Sequence, residues 1–540
     1  MEFPTRPRRT PPERSRRPET NGRGPRAVEP DPAAPEPPPP GAGRAPTPAA
    51  APAADACPLR APGKPPPPPP PPPPAPHRPL PDGTHTGALP RVVTGRLRTT
   101  LVLLAAVATV SATALVVGLS SRAPEPPRAL TSEERTRLAA VRVTNYRDLR
   151  AGVHLTAGID AERIELIGWV DWSRPLLYLD VGGPGAGTNR GLLQATPTVV
   201  VLRPDPAAAP IPAAPPLVPP ADRWRLATLP ADGRLAPVLD LLSELTADRP
   251  DPLVGDRARW TGRTEVTAEP VDVLEAPLPP LRPDADALTV ADGLPRWWVD
   301  RDARVHRLEL RLPGVGPVTV RFNRTDRPTL RPVDALGGRP GTARSLTAVE
   351  QLRLARLPTR LRAVAGASAT LTAPLAPGTN LRGLGWLSWR QRAAYLAVTD
   401  SDAPGRRTLL RHDDGRTHRM DVPASTVAGT VGAPARPPLP APARGWQASP
   451  ADELTTLVDA AVRAAAVGPT GTARRIRGDS LAGTAVDVLE LRASGPPRRY
   501  WIDKSGLLHR LELRSRAGTW AQLDLTPGSV PRLGSAPEGR

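Results

Sequence analysis

Five histidines stand beyond the first hundred residues: His154, His306, His412, His418 and His509. His306 follows Asp300 by six positions, and His509 follows Asp503 by six. An Asp–His pair could shuttle a proton or contribute to a metal site. A metal needs three or four ligands, however, and no further His or Cys lies near either pair. Recurrence at equivalent places fits a duplicated hairpin better than a catalytic constellation. His412 and His418 bracket Asp413, Asp414 and Arg416, which reads as a solvated turn, and Ser401-Asp402 reads as a turn before Pro404. No G-x-S-x-G, phosphate-binding glycine loop or zincin helix is present. The sole cysteine, Cys57, excludes an intrachain disulfide and a Cys-type zinc site. The sequence therefore leads us to expect no catalytic residues, no metal and no cofactor, hence not an enzyme.

Composition narrows the class further. The 540 residues include 78 prolines and two phenylalanines, and carry a net charge of +19. Nearly all basic residues are arginine and alanine is abundant, as high-GC coding of an actinobacterial type produces. The arginines are scattered among Asp and Glu without interleaved aromatics, which argues against nucleic acid as a partner. Anionic lipid heads or cell-wall polymers suit such a charge better.

The chain changes character along its length. Residues 1–98 are Pro/Arg-rich, with an unbroken proline run from Pro65 to Pro74. Such a segment cannot bury enough apolar surface to offset its ordering entropy, so a disordered tail is expected, with the proline run a stiff rod. Residues 99–121 then read as a transmembrane helix: Leu101–Leu119 carries no charge over 19 residues, close to the ~20 that cross a bilayer core. Arg91, Arg96 and Arg98 precede it, which puts the N-terminus in the cytoplasm and the rest outside the cell membrane. Cys57 lies upstream of this segment, against lipidation. An uncleaved single-pass anchor is the expectation, because about a hundred residues precede it, too many for a signal peptide.

Beyond the apolar segment the sequence repeats itself. Gly168-Trp169-Val170-Asp171-Trp172 with Tyr178-Leu179 returns as Gly385-Trp386-Leu387-Ser388-Trp389 with Tyr395-Leu396. Val271-Asp272-Val273-Leu274-Glu275 returns as Val486-Asp487-Val488-Leu489-Glu490, and Trp298-Val299-Asp300 as Trp501-Ile502-Asp503. The block Leu130-Thr131 with Leu138 returns as Leu346-Thr347 with Leu354. Blocks in constant order read as two copies of one fold, here 122–338 and 339–532, with 533–540 a short tail.

Each copy reads as α+β. Thr131–Val141 and Thr347–Leu357 are expected helices, each opened by a Thr with Glu134 or Glu350 three residues on, a capping box. Second helices are expected near Leu235–Leu245 and Ala451–Ala466. The remainder alternates with period two: His306, Leu308, Leu310 and Leu312 share one face against Arg307, Glu309 and Arg311. The expected fold is two antiparallel sheets, each with an apolar face covered by helices.

The stretch Tyr500-Trp501-Ile502-Asp503-Lys504-Ser505-Gly506-Leu507-Leu508-His509-Arg510-Leu511 resembles the closing hairpin of the LolA/LppX-like superfamily of bacterial envelope lipoprotein carriers and lipid-binding lipoproteins. The first copy matches at Trp298, Val299 and Asp300, with Ala303 where the second has Gly506. The resemblance implies tandem half-barrels that hold acyl chains, and so a non-catalytic carrier or sensor of lipid, lipoprotein or another apolar ligand. This chain departs from the family in having a membrane anchor and two copies. Read without the family, Asp503 opens a turn in which its carboxylate caps backbone N–H groups and Gly506 takes positive φ.

The pairs Trp169/Trp172 and Trp386/Trp389 are the candidate ligand-lining residues. Spaced by three, the members of a pair fall on opposite faces of a strand, so one belongs to the core and the other to a concavity or contact surface. The alternative function is a cell-envelope module with filled cores, binding protein or cell-wall polymer. The size of the apolar space inside each sheet separates the two.

Overall fold

The computed structural model describes residues 125–229, 233–279, 293–413, 415–423 and 435–534. The tail 1–98, the apolar segment 99–121, Cys57, Asp414 and residues 535–540 lie outside the described residues. No helix among the described residues is long and apolar enough to cross a membrane.

The first half holds β1 (Arg128–Ala129), α1 (Ser132–Asp148), β2 (Arg150–Ala157), β3 (Ile164–Asp171), β4 (Leu176–Gly182), β5 (Gly191–Ala195), β6 (Val200–Pro204), β7 (Arg225–Leu226), α2 (Leu235–Glu244), β8 (Arg259–Val266), β9 (Glu269–Glu275), β10 (Arg296–Val299), β11 (Val305–Leu312) and β12 (Gly316–Asn323). The second holds β13 (Arg344–Ser345), α3 (Ala348–Val364), β14 (Gly366–Ala376), β15 (Thr379–Ser388), β16 (Ala393–Asp400), β17 (Arg406–Asp413), β18 (Arg416–Pro423), β19 (Gln447–Ala448), α4 (Glu453–Arg463), β20 (Thr472–Leu481), β21 (Thr484–Arg492), β22 (Arg498–Asp503), β23 (Leu508–Arg514) and β24 (Trp520–Pro527). Each half forms one antiparallel twelve-stranded sheet. The orders are β1-β8-β9-β10-β11-β12-β2-β3-β4-β5-β6-β7 and β13-β20-β21-β22-β23-β24-β14-β15-β16-β17-β18-β19, the same path twice.

The helices open as their sequences require. The Thr131 hydroxyl accepts from the Glu134 N–H and the Glu134 carboxylate accepts from the Thr131 N–H, and Thr347 and Glu350 repeat the exchange. Both glutamates are also gripped by an arginine three residues before the capping threonine: Arg128 holds Glu134 at 2.8 Å and Arg344 holds Glu350 at 2.7 Å. The helices run seven residues past the expected Val141 and Leu357, to Asp148 and Val364. In α1 those last turns are polar in sequence and are held by tertiary partners: Arg142 pairs with Asp251 at 2.9 Å, and the Asn145 amide donates to the Leu245 carbonyl at 2.6 Å.

The repeated Val-Asp-Val-Leu-Glu block has a plain structural role. Asp272 on β9 receives Arg137 of α1 at 2.7 Å, and Asp487 on β21 receives Arg353 of α3 at 2.6 Å, so one aspartate per half ties the first helix to its sheet. The repeated glycine before Trp is a matter of close approach. A Cβ at Gly168 would lie 2.1 Å from the Tyr178 carbonyl oxygen, and one at Gly385 2.0 Å from that of Tyr395.

The closing hairpin departs from simple alternation. Pairing of β10 with β11 jumps from Trp298↔Arg307 to Val299↔Val305, and that of β22 with β23 from Trp501↔Arg510 to Ile502↔Leu508. The skipped residues are His306 and His509. Each bulge shifts the phase, so that Val305 and Leu308, three apart, both lie in the core, as do Leu508 and Leu511. His306 is thereby lifted out of the leucine row in which period two had placed it.

Candidate apolar-ligand site

Two main cores carry the apolar faces. In the first half Leu138 and Val141 of α1 and Leu239, Leu241 and Leu242 of α2 join strand residues such as Leu166, Leu179 and Leu308. In the second, Leu354, Leu357, Leu457 and Val458 play the same part. On the inner sides of the second helices, Leu241, Leu242, Leu457 and Ala461 have no measurable exposure.

Unfilled apolar space lies to one side, against the first helix. A recess of about 240 Å³ is bounded by Leu138, Ala139 and Val141 of α1, by Leu253 and Val254 before β8, by Pro277, Leu278 and Pro279 after β9, and by Trp297. Its polar lining is the Arg142–Asp251 pair, 2.9 Å apart, in which burial pushes the Asp251 carboxyl up against the opposing pull of Arg142. At the corresponding place in the second half, a recess of about 470 Å³ involves Leu354 and Ala355 of α3, with Leu346, Gln351, Gly468 and Pro469. Leu138 and Leu354 are the paired leucines of the repeated Leu-Thr block. Ligand pockets run from ~300 to 1,000 Å³, so the first recess suits the end of an acyl chain or a small apolar group rather than a whole lipid.

The four candidate tryptophans divide between two faces. Trp172 is buried in the first main core and donates its indole N–H to the Leu242 carbonyl of α2 at 3.1 Å. Trp389 does the same to Ala461 of α4 at 3.1 Å. Both therefore pin the second helix to the sheet. Trp169 lies in a separate apolar cluster with Tyr178, Val201, Trp224 and Val333, and donates to Asp326 at 2.7 Å. Trp386 packs beside Tyr395, Trp446 and Met420, with Arg436 over its ring at 5.6 Å. None of the four borders the α1 or α3 recess, nor a further recess of about 370 Å³ beside α2 that is bounded by Val199, Leu226, Leu229, Ala236 and Leu239. Trp297, which borders the first, escapes sequence reasoning: the repeat aligns it with Tyr500, so no shared motif singles it out.

His306, His509 and His412 serve as ties. Asp300 meets His306 at 3.0 Å and also accepts the backbone N–H groups of Asp302 and Arg304. Burial works against ionisation of Asp300, yet the His306 hydrogen bond and those N–H groups hold its carboxyl below the ordinary range. Asp503 repeats this with His509 at 2.9 Å and the Leu507 N–H. Ala303 and Gly506 both take positive φ at the same turn, 61° and 88°. His412 is held between Thr417 at 2.9 Å and Asp459 of α4 at 3.4 Å, which fastens the β17–β18 hairpin to that helix. Among the described residues no group of three His, Cys, Asp or Glu side chains gathers to hold a metal.

A pocket of about 750 Å³ with a mixed, mainly apolar lining also borders Trp169, His154, His306, Phe322, Arg321 and Arg324, so Trp169 does line an open space. Asp326 is engaged by Trp169, Asp300 by His306, and nearby Glu165 by His154 at 2.7 Å. Four arginines and three carboxylates line this pocket.

No protein-family model matches the chain, and no curated protein matches it. Among solved structures, the lipoprotein LppX of Mycobacterium tuberculosis is similar at 11% identity over 34% of this chain and 98% of its own, with a TM-score of 0.23. A LolA superfamily protein of Nitrosomonas europaea is similar at 10% identity over 38% of this chain and 96% of its own, with a TM-score of 0.16.

Proposed function

We propose that this chain is a single-pass membrane-anchored, extracytoplasmic binding protein, held by residues 99–121, that takes an apolar ligand without covalent chemistry. The observation that carries the reading is the apolar recess between α1 and the sheet, bounded by Leu138, Val141, Leu253, Leu278 and Trp297. A space of this size with one ion pair on its lining fits an acyl end belonging to a lipid or a lipoprotein. On this reading each half is a half-barrel of LolA/LppX type whose helices cover the apolar face, and the protein acts as carrier or sensor. The motif resemblance around Asp503 supports it.

A second reading also has an observation in its favour. The fully buried Leu241, Leu242, Leu457 and Ala461 of α2 and α4 suit an envelope interaction module that binds protein or cell-wall polymer through its surfaces. Organic extraction of the purified full-length chain, followed by mass spectrometry, separates the two. Co-purifying lipid together with saturable binding of a fluorescent fatty acid is expected from the first. Absence of both sinks the carrier reading and leaves the second.

A further inference from the structure

Three exposed apolar side chains lie in loops at one end of the first sheet. The end is defined by the pairs Arg259↔Glu275, Leu312↔Gly316, Val318↔Ala157 and Glu165↔Gly182, which lie side by side along it. Ile159 sits in the turn after β2 and is 60% exposed; Leu253 precedes β8 and is 65% exposed. Ile211, 76% exposed, comes directly after Pro210, whose carbonyl accepts the Gly183 N–H at 2.7 Å beside the end of β4. Leu253 is also part of the rim of the 240 Å³ recess, so the recess and the apolar side chains share one end.

The second sheet does not offer the same end freely. Its β14–β15 turn is turned to the first half, where the Asn380 side chain accepts the Leu226 N–H at 2.7 Å and donates to the Leu226 carbonyl at 3.0 Å. Ala517, in the β23–β24 turn, packs into the cluster that holds Val199. The first sheet leaves more of this end open, and it is the one nearer the apolar segment in sequence. From Leu119 to Arg128 the backbone can reach at most about 30 Å, roughly the length of one eight-residue strand. Whatever holds Leu101–Leu119 therefore lies within a strand's length of this domain.

We infer that Ile159, Ile211 and Leu253 form a docking face for the bilayer that holds residues 101–119, and that the recess beside Leu253 receives an acyl chain from that bilayer. The inference rests on the proposed binding role and names the source of its ligand. A tethered domain needs little intrinsic affinity, because the anchor keeps its effective concentration at the surface high. Three aliphatic side chains then suffice to orient it.

The test uses the full chain carrying Cys57→Ser, with single cysteines introduced as Ile159→Cys, Ile211→Cys or Leu253→Cys and labelled with an environment-sensitive fluorophore. Controls are Leu149→Cys, exposed at the opposite end of the first sheet, and Val467→Cys, exposed in the second half. The protein is reconstituted in phosphatidylcholine/phosphatidylglycerol vesicles containing nitroxide-labelled lipid. At least threefold more quenching at 159, 211 and 253 than at 149 and 467 is the expected result. Uniform quenching, quenching strongest at 149, or none at any position overturns the docking face. Lipid extracted from the same unlabelled protein is measured in parallel. Bound lipid without selective quenching removes the docking face alone, whereas loss of bound lipid removes the binding reading itself.

Discussion

The indole N–H of Trp172 donates to the main-chain carbonyl of Leu242 across 3.1 Å, joining the end of β3 to the second half of α2. Trp389 and Ala461 repeat the bond at 3.1 Å in the second half. A buried helix carbonyl is thus engaged by a strand-borne side chain, which fixes how the second helix lies on its sheet. Trp172→Phe keeps most of the apolar volume and removes the donor. We expect a loss of about 1–3 kcal/mol, the combined effect of the missing bond and the lost ring volume, read as a lower urea midpoint. A midpoint unchanged from wild type would show that packing alone holds α2.

Filling the recess separates binding from stability. Ala139 borders the recess on α1. Ala139→Phe directs a ring into the space now open, so fluorescent fatty-acid binding is expected to weaken at least tenfold. Stability should stay within about 1–3 kcal/mol of wild type, the usual range for an enlarged side chain. Full retention of probe affinity would place the ligand elsewhere.

Tyr178 and Tyr395 occupy matching strand positions, are almost wholly buried, and have hydroxyl groups without a hydrogen-bond partner within the protein. Burial pushes the Tyr395 hydroxyl up to about 12 and raises Tyr178 as well. Removing an unsatisfied buried hydroxyl while keeping the ring should not destabilise. Tyr178→Phe and Tyr395→Phe are each expected to be neutral or stabilising by about 1 kcal/mol. A clear fall in thermal midpoint would mean that each hydroxyl has a water partner.

Ala303 and Gly506 provide a matched pair of turns. A Cβ at Gly506 would make only ordinary contacts, 3.5 Å to Arg353 Cγ and 3.6 Å to Arg360 Cγ, so the cost of Gly506→Ala comes from the positive φ. It should destabilise by about 1–2 kcal/mol. Ala303→Gly should gain less than that, because glycine loosens the unfolded chain. Urea titration of both variants checks the opposite signs.

The Arg344 hydrogen bond holds the Glu350 carboxyl down at about 2, with burial opposing and the Thr347 N–H assisting. A folded pKa below the unfolded value gives stability that is present above the unfolded pKa, near 4.3, and is lost as pH falls through the folded one. The window is therefore about pH 4.5 down to 2. Glu350→Gln should flatten the stability profile over that window relative to wild type, measured by thermal melts at a series of pH values. Identical profiles would mean that the pair contributes nothing to acid sensitivity.

Much of the architecture is legible in local sequence. The capping boxes at Thr131/Glu134 and Thr347/Glu350 fix where the first helices begin, because the exchange involves residues three apart. The Asp503 turn is legible for the same reason. Repeated blocks also foretell two sheets of one strand order, since equivalent residues such as Asp272 and Asp487 do equivalent work. Where the helices end is decided by distant partners, Asp251 and Leu245 in the case of α1. The bulges at His306 and His509 are likewise invisible to a period-two reading, because an extra residue is defined only against the neighbouring strand.

The site shows the same division. Sequence selected the tryptophans by type and spacing, and could say that Trp169 and Trp172 face opposite sides of a strand. It could not say which apolar space stays unfilled, because that depends on how Leu253, Leu278 and Trp297, far from α1 in the chain, meet that helix. Local periodicity determines elements and faces through interactions a few residues long. Tertiary structure alone decides which faces close on each other and leave room, because packing is a property of side chains that only folding brings together.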